Sequence, residues 1–260
     1  MDKATVISQL RRDLMALGGI RASTVGSFQP TLPEFCRDHF PLGVFPSAAV
    51  HEICCSDPES IAAGYGFIAG MIKSVLKTNG VIVWIWDRWS LFPHGISAFG
   101  IDSQHILFVR PPTLKARQWI LEEAVKCEGV AIVIAETHKV DFTLSRRLQL
   151  AVETSKVTTF LLNTSKQEPI NNSCVSRWRI QPLPSSSDNA LPGVGFPCWK
   201  VSLLKMRNGK PGEWEVRYKQ GQLEEWTKPI ELANEVLAQK QTPLVYKSKG
   251  DGEEKGVVAA

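Results

Sequence analysis

The chain reads as an α/β protein built on a mainly parallel sheet. Three observations predict this. Five short apolar runs (AVHEICC, VIVWIW, HILFVR, VAIVIA and VTTFLL) follow one another from about Ala48. Each is apolar almost throughout instead of alternating, as expected for strands covered on both faces. The segments between them are long enough for the crossover that parallel pairing requires.

Composition sets the outer limits. With 260 residues, 43% hydrophobic and 22% charged, the chain can bury one sizeable core. No run of eighteen apolar residues occurs and the N-terminus has no apolar export signal, so a soluble cytoplasmic protein with no membrane contact is expected. The six cysteines form no C-x-x-C pair, which predicts reduced thiols and no structural zinc; no cofactor of another kind is expected either, since the phosphate-binding residues are missing. A net charge of +4 is too mild at this length to argue for nucleic-acid binding by itself.

Taken in order, Ile7, Leu10, Leu14 and Leu17 form one stripe at helical spacing, and Gly18-Gly19 ends it. Residues 21–47 hold four prolines and read as an extended connector. The alternation then predicts a strand at AVHEICC, a helix over Glu59 to Leu76 and a strand at VIVWIW. A 3-10 or helix-rich segment around Leu91 to Phe99 comes next, then HILFVR, a helix over Lys115 to Cys127, VAIVIA, a helix over Thr143 to Thr154 and VTTFLL. After residue 165, VSRWRIQPL and WKVSLLKMRNGKPGEWEVRY read as antiparallel strands, the last two joined through Asn208-Gly209-Lys210-Pro211-Gly212. The organisation expected is an N-terminal amphipathic helix and connector (1–30), a core (31–230) and a flexible polar tail (231–260).

The loop after the first strand has the placement of a phosphate-binding loop without its chemistry. Such a loop needs a glycine, a lysine for the outer phosphates and a hydroxyl residue for Mg²⁺. Here Ile61-Ala62-Ala63-Gly64 stands there, with Ala63 at the lysine position and Gly64 at the hydroxyl position. Asp57-Pro58-Glu59-Ser60 reads as a helix start: Asp57 at the N-cap, proline at N1 and Glu59 complementing the dipole. Gly64, Gly66 and Gly70 let the helix lie close to the sheet.

His51-Glu52 begins like H-E-x-x-H, but position 55 is cysteine and the segment is a strand, so no zinc site follows. Trp84, Trp86 and Trp89, with Asp87 and Arg88, crowd the carboxyl end of the second strand, where open α/β sheets place their sites; they read as core, with an interface as the alternative. In DFTLSRRLQLAVE, Leu144, Leu148 and Ala151 face inward, leaving Arg146 and Arg147 on a solvated face or at an interface.

HEICCSDPESIAAGYGFIAG, VIVWIWDRWSLFPHGISAFGID, HILFVRPPTLKARQWILEEAVKCEGVAIVIAE, TLSRRLQLAVE, SRWRIQPLPS and the PGEWEVRY ending together resemble the ImuA family over roughly residues 40 to 218. The resemblance implies a RecA-like fold. Set against RecA, Ser56 to Gly64 aligns with the phosphate loop, Arg88 replaces the catalytic glutamate, and Glu136 lies near the Mg²⁺-binding position. It further implies a non-catalytic accessory protein of damage-induced translesion synthesis, working with ImuB, an error-prone C-family DNA polymerase and RecA. Self-association is a further expectation, and direct DNA binding through Arg146, Arg147, Arg177 and Arg179 is a weaker separate class read from the residues themselves. SulA-type division inhibitors, also RecA-like without an intact loop, are the alternative; they are shorter, and the RRLQL and SRWR motifs favour ImuA.

Overall fold

A computed structural model describes residues 32–75, 80–86, 93–167, 170–187 and 195–226. The elements called over Ile7 to Leu17 and over 231–260 lie outside the described residues, as do Arg88 and Trp89.

Nine strands form one sheet in the order β3-β2-β4-β5-β1-β6-β7-β8-β9. They are β1 Val50–Cys54, β2 Val81–Ile85, β3 Ile106–Val109, β4 Val130–Thr137, β5 Thr158–Asn163, β6 Ser176–Ser186, β7 Phe196–Met206, β8 Gly212–Lys219 and β9 Gln222–Glu225. The helices are α1 Pro58–Val75, α2 Leu114–Lys126 and α3 Phe142–Ser155, with a seven-residue 3-10 segment Pro93–Phe99 between β2 and β3. This is the expected α/β, RecA-like architecture.

The continuous apolar runs are explained by two separate cores. Along β4, Ile132 and Ile134 face the core that contains Ala63, Tyr65, Ile68 and Ile72 of α1. Val133 and Ala135 face the core that contains Leu121 and Val125 of α2 and Leu148 and Val152 of α3. Successive side chains of one strand therefore enter opposite layers, and both sets of positions are mostly apolar. Small residues set the layer spacing: a Cβ on Gly66 would stand 2.7 Å from Trp199 Cζ2.

Three expectations need correction. VSRWRIQPL was expected among antiparallel strands. As β6 it pairs parallel with β1 and antiparallel only with β7, so six strands are parallel instead of five. Its connection from β5, residues 164–175, holds no helix among the described residues, and so lacks the signature of a crossover. The final hairpin is followed by one more strand, β9, joined to β8 through Gln220 and Gly221, both at positive φ (49° and 81°). That two-residue turn is normally written Asn-Gly or Asp-Gly, and glutamine conceals it. Finally, the segment called an extended connector carries core from Leu32 onward. It forms 3-10 turns at Glu34–His39 and Pro41–Gly43, buries Leu32, Cys36, Phe40 and Phe45, and sets Phe35 against Trp214 at 5.5 Å.

One buried polar group lies among these aromatics. His51 of β1 sits between Phe45 and Phe160, at ring separations of 4.6 and 5.3 Å. Its Nε2–H donates to the Pro46 carbonyl (2.9 Å), and Ser176 Oγ donates to its Nδ1 (2.7 Å) while accepting the Trp178 indole N–H (2.8 Å). That set suits neutral imidazole, and burial lowers the His51 pKa from 6.5 to about 4. The unfolded chain takes up the proton at the higher pH, so stability is complete above 6.5 and falls as the pH drops toward about 4. Unfolding free energies measured at neutral pH and near the folded value should differ by about 3 kcal/mol from this group.

Candidate functional site

The loop between β1 and α1 follows the geometry of a helix start. Asp57 Oδ1 accepts the Ser60 backbone N–H at 2.7 Å, and Asp57 Oδ2 accepts the Ser60 hydroxyl at 2.8 Å. These two bonds, the backbone one foremost, hold the Asp57 carboxyl below its ordinary range. A charged carboxylate thus occupies an amide that could otherwise face a phosphate. Pro58 and Glu59 are exposed in the first turn.

Ala63 and Gly64, where a phosphate-binding loop was expected to have lost its lysine and hydroxyl residue, both pack against the interior. Ala63 is buried. Gly64 lies so close to Cys55 that a Cβ there would be 2.7 Å from Sγ. Burial, then the neighbouring Cys54, pushes the Cys55 thiol far above its usual range, so it stays protonated. A lysine at 63 would carry its ammonium into apolar surroundings, and a hydroxyl residue at 64 would displace Cys55. Glu136, at the end of β4 and also buried, accepts the Tyr65 hydroxyl of α1.

The remaining candidates separate. Trp86 is buried, edge-on to Phe108 at 6.4 Å, so its side chain belongs to the core. Arg146 and Arg147 are exposed on α3, and Arg147 pairs with Glu122 of α2. An exposed pair of this kind contributes at most about 1 kcal/mol. Arg177 is buried and committed inside the protein, so it is not available to DNA; Arg179 is half-buried. Among the described residues no group of three His, Cys, Asp or Glu side chains could hold a metal ion, and no helix is long and apolar enough to cross a membrane.

Sequence reasoning passed over the partner of Arg177, which is Glu52. Glu52 is fully buried, and its oxygens accept from Arg177 Nε (2.6 Å), Asn172 Nδ2 (2.7 Å) and Asn163 Nδ2 (2.8 Å). Lys205 of β7 donates to the Asn172 carbonyl at 2.9 Å. Burial, then Arg177, lowers the Lys205 pKa. A glutamate inside a buried strand run was the available signal, since such a residue needs a counter-charge.

Two outcomes are expected. Arg177→Met should cost about 3–5 kcal/mol in urea unfolding, because it leaves Glu52 buried without its cation, and adding Glu52→Gln should recover much of that loss. Writing the motif back as Ala63→Lys with Gly64→Thr should lower the unfolding free energy by about 1–3 kcal/mol and yield no Mg-ATP heat in calorimetry.

No protein-family profile matches the chain. It is similar to Protein ImuA from two strains of Caulobacter vibrioides, in each case 32% identical over 187 residues, covering 67% of this chain and 77% of the relative. At that identity and coverage the chain belongs to the ImuA family.

Proposed function

We propose that this protein is a non-catalytic accessory factor of damage-induced translesion DNA synthesis. It brings an ImuB-type protein and an error-prone C-family polymerase to RecA or to damaged DNA. The observation that carries the reading is the repacked loop: buried Ala63 and the tight contact of Gly64 on Cys55 stand where nucleotide chemistry needs a charge and a hydroxyl. A RecA-like core without those groups keeps its surfaces and gives up the hydrolytic cycle. Membership of the ImuA family supports the same role. The protein acts in the cytoplasm, at the nucleoid after damage, without a bound cofactor.

The N-terminal stripe Ile7, Leu10, Leu14 and Leu17 is the docking element of this assembly, engaging RecA or a second copy. An isolated helix of that length is marginal in water and gains stability by laying its apolar face in a groove. The deciding experiment is genetic. Deletion should abolish damage-induced mutagenesis, wild-type chain should restore it, and Leu10→Asp with Leu14→Asp should fail to restore it while leaving the thermal midpoint unchanged. Intact mutagenesis in the deletion strain, together with filamentous cells on overexpression, would replace this reading with that of a SulA-like division inhibitor.

A further inference from the structure

The helices α2 and α3, side by side on one face of the sheet, present apolar side chains outward. Among the described residues, Leu114 and Trp119 of α2 and Phe142 and Leu150 of α3 are large, apolar and exposed. Trp119 stands out furthest, at 66% exposure. Tryptophan is highly buried on average, and on protein surfaces it is enriched at the centres of interfaces. One turn along α2 from Trp119, a cleft of about 260 Å³ opens between the two helices. Leu148 and Ala151 of α3 line its inner part, and Glu122, Lys126, Arg147 and Leu150 its rim. The Arg147–Glu122 pair joins the two helices there. Glu122 and Lys126 follow Trp119 at helical spacing, so the indole and the cleft share one outer surface.

The cleft is smaller than the range of about 300–1,000 Å³ that holds compact ligands, and is on the scale of one large side chain. The charges around it have both signs. Glu122, Lys126 and Arg147 rim the cleft, while Lys115 and Glu123 stand exposed one turn to either side of Trp119. A nucleic acid, or a polypeptide of one charge, would meet like charges on such a face. A second copy brings the same two signs, and the same projecting indole beside the same cleft. A twofold axis between indole and cleft then satisfies both at once, because an isologous contact is made twice. We propose that α2 and α3 form a twofold interface between copies of this chain, in which Trp119 of each copy enters the α2–α3 cleft of the other. Arg147 on the rim meets the inserted ring, whose face attracts a guanidinium. The inference is independent of the translesion role and of the N-terminal stripe.

The test is analytical ultracentrifugation of the full-length chain over a concentration series. Leu10→Asp with Leu14→Asp serves as the background, so that association through the N-terminal stripe does not contribute. This chain should pass from monomer to dimer with a micromolar Kd and form nothing larger. In that background Trp119→Ala removes the projecting side chain and should raise the Kd about thirtyfold or more. Leu150→Glu, at an exposed position on the cleft rim, should have an effect of the same size. Both substitutions should leave the thermal midpoint unchanged at a concentration where every chain is monomeric, since both positions face solvent in the single copy. A chain that stays monomeric up to about 200 µM would overturn the inference. A dimer that Trp119→Ala leaves intact would do so too, and so would oligomers that grow beyond two copies.

Discussion

The carboxylate of Glu52 is the constraint on which the arrangement of the sheet depends. It is fully buried in the central strand, beyond the reach of solvent, so its donors must come from the protein. They come from three places: Asn163 at the end of β5, Asn172 in the connection to β6, and Arg177 in β6. Arg177 stands directly opposite Glu52 in the parallel register. A buried ion pair adds little stability over apolar residues of the same shape, but it discriminates among registers. Moving β6 by one residue would turn Arg177 to the opposite face and leave Glu52 unmatched. β6, whose connection from β5 holds no helix among the described residues, is thereby held in place by charge.

The residue before Glu52 serves the opposite layer. His51 faces the aromatics of the α1 side, kept neutral by its burial, while Glu52 faces the α3 side and keeps its cation. One strand thus carries two buried polar networks on opposite faces, each requiring a serine or asparagine at a fixed place in β5, β6 or their connection. The β1–α1 loop begins where this strand ends. Its geometry depends on the same strand, with Cys55 donating its backbone N–H to the Asn163 carbonyl at 2.9 Å.

The layered α/β order was readable because the buried strands are mostly apolar runs and each helix shows its stripe. Asp57, Thr113 and Asp141 all accept from the backbone near their helix starts, as capping residues should. What escaped had no local pattern. The β5 to β6 crossover lacks helical periodicity, and β9 is a four-residue strand whose turn residue, Gln220, gives no signal. The buried turns from Leu32 to Phe45 carry prolines that imitate a linker. At the site, the missing lysine and hydroxyl positions were legible as letters. Their cause is a three-dimensional fact: Cys55 fills the space that a side chain at Gly64 would need. The Glu52 cluster joins residues more than a hundred positions apart, a distance at which a single sequence carries no pairing information.

The cap at Asp57 has one more implication. In a switching protein, the start of a phosphate-binding helix senses its surroundings because its anion comes and goes. Here the anion is tethered three residues from the amide that it satisfies, at an effective concentration that no change in the cell can alter. The Ser60 amide is answered without any bound anion, so this end of α1 needs no phosphate to complete its hydrogen bonding. A surface borne on such a helix is a fixed landmark for whatever reads it, available at all times and timed only by how much of the protein is made.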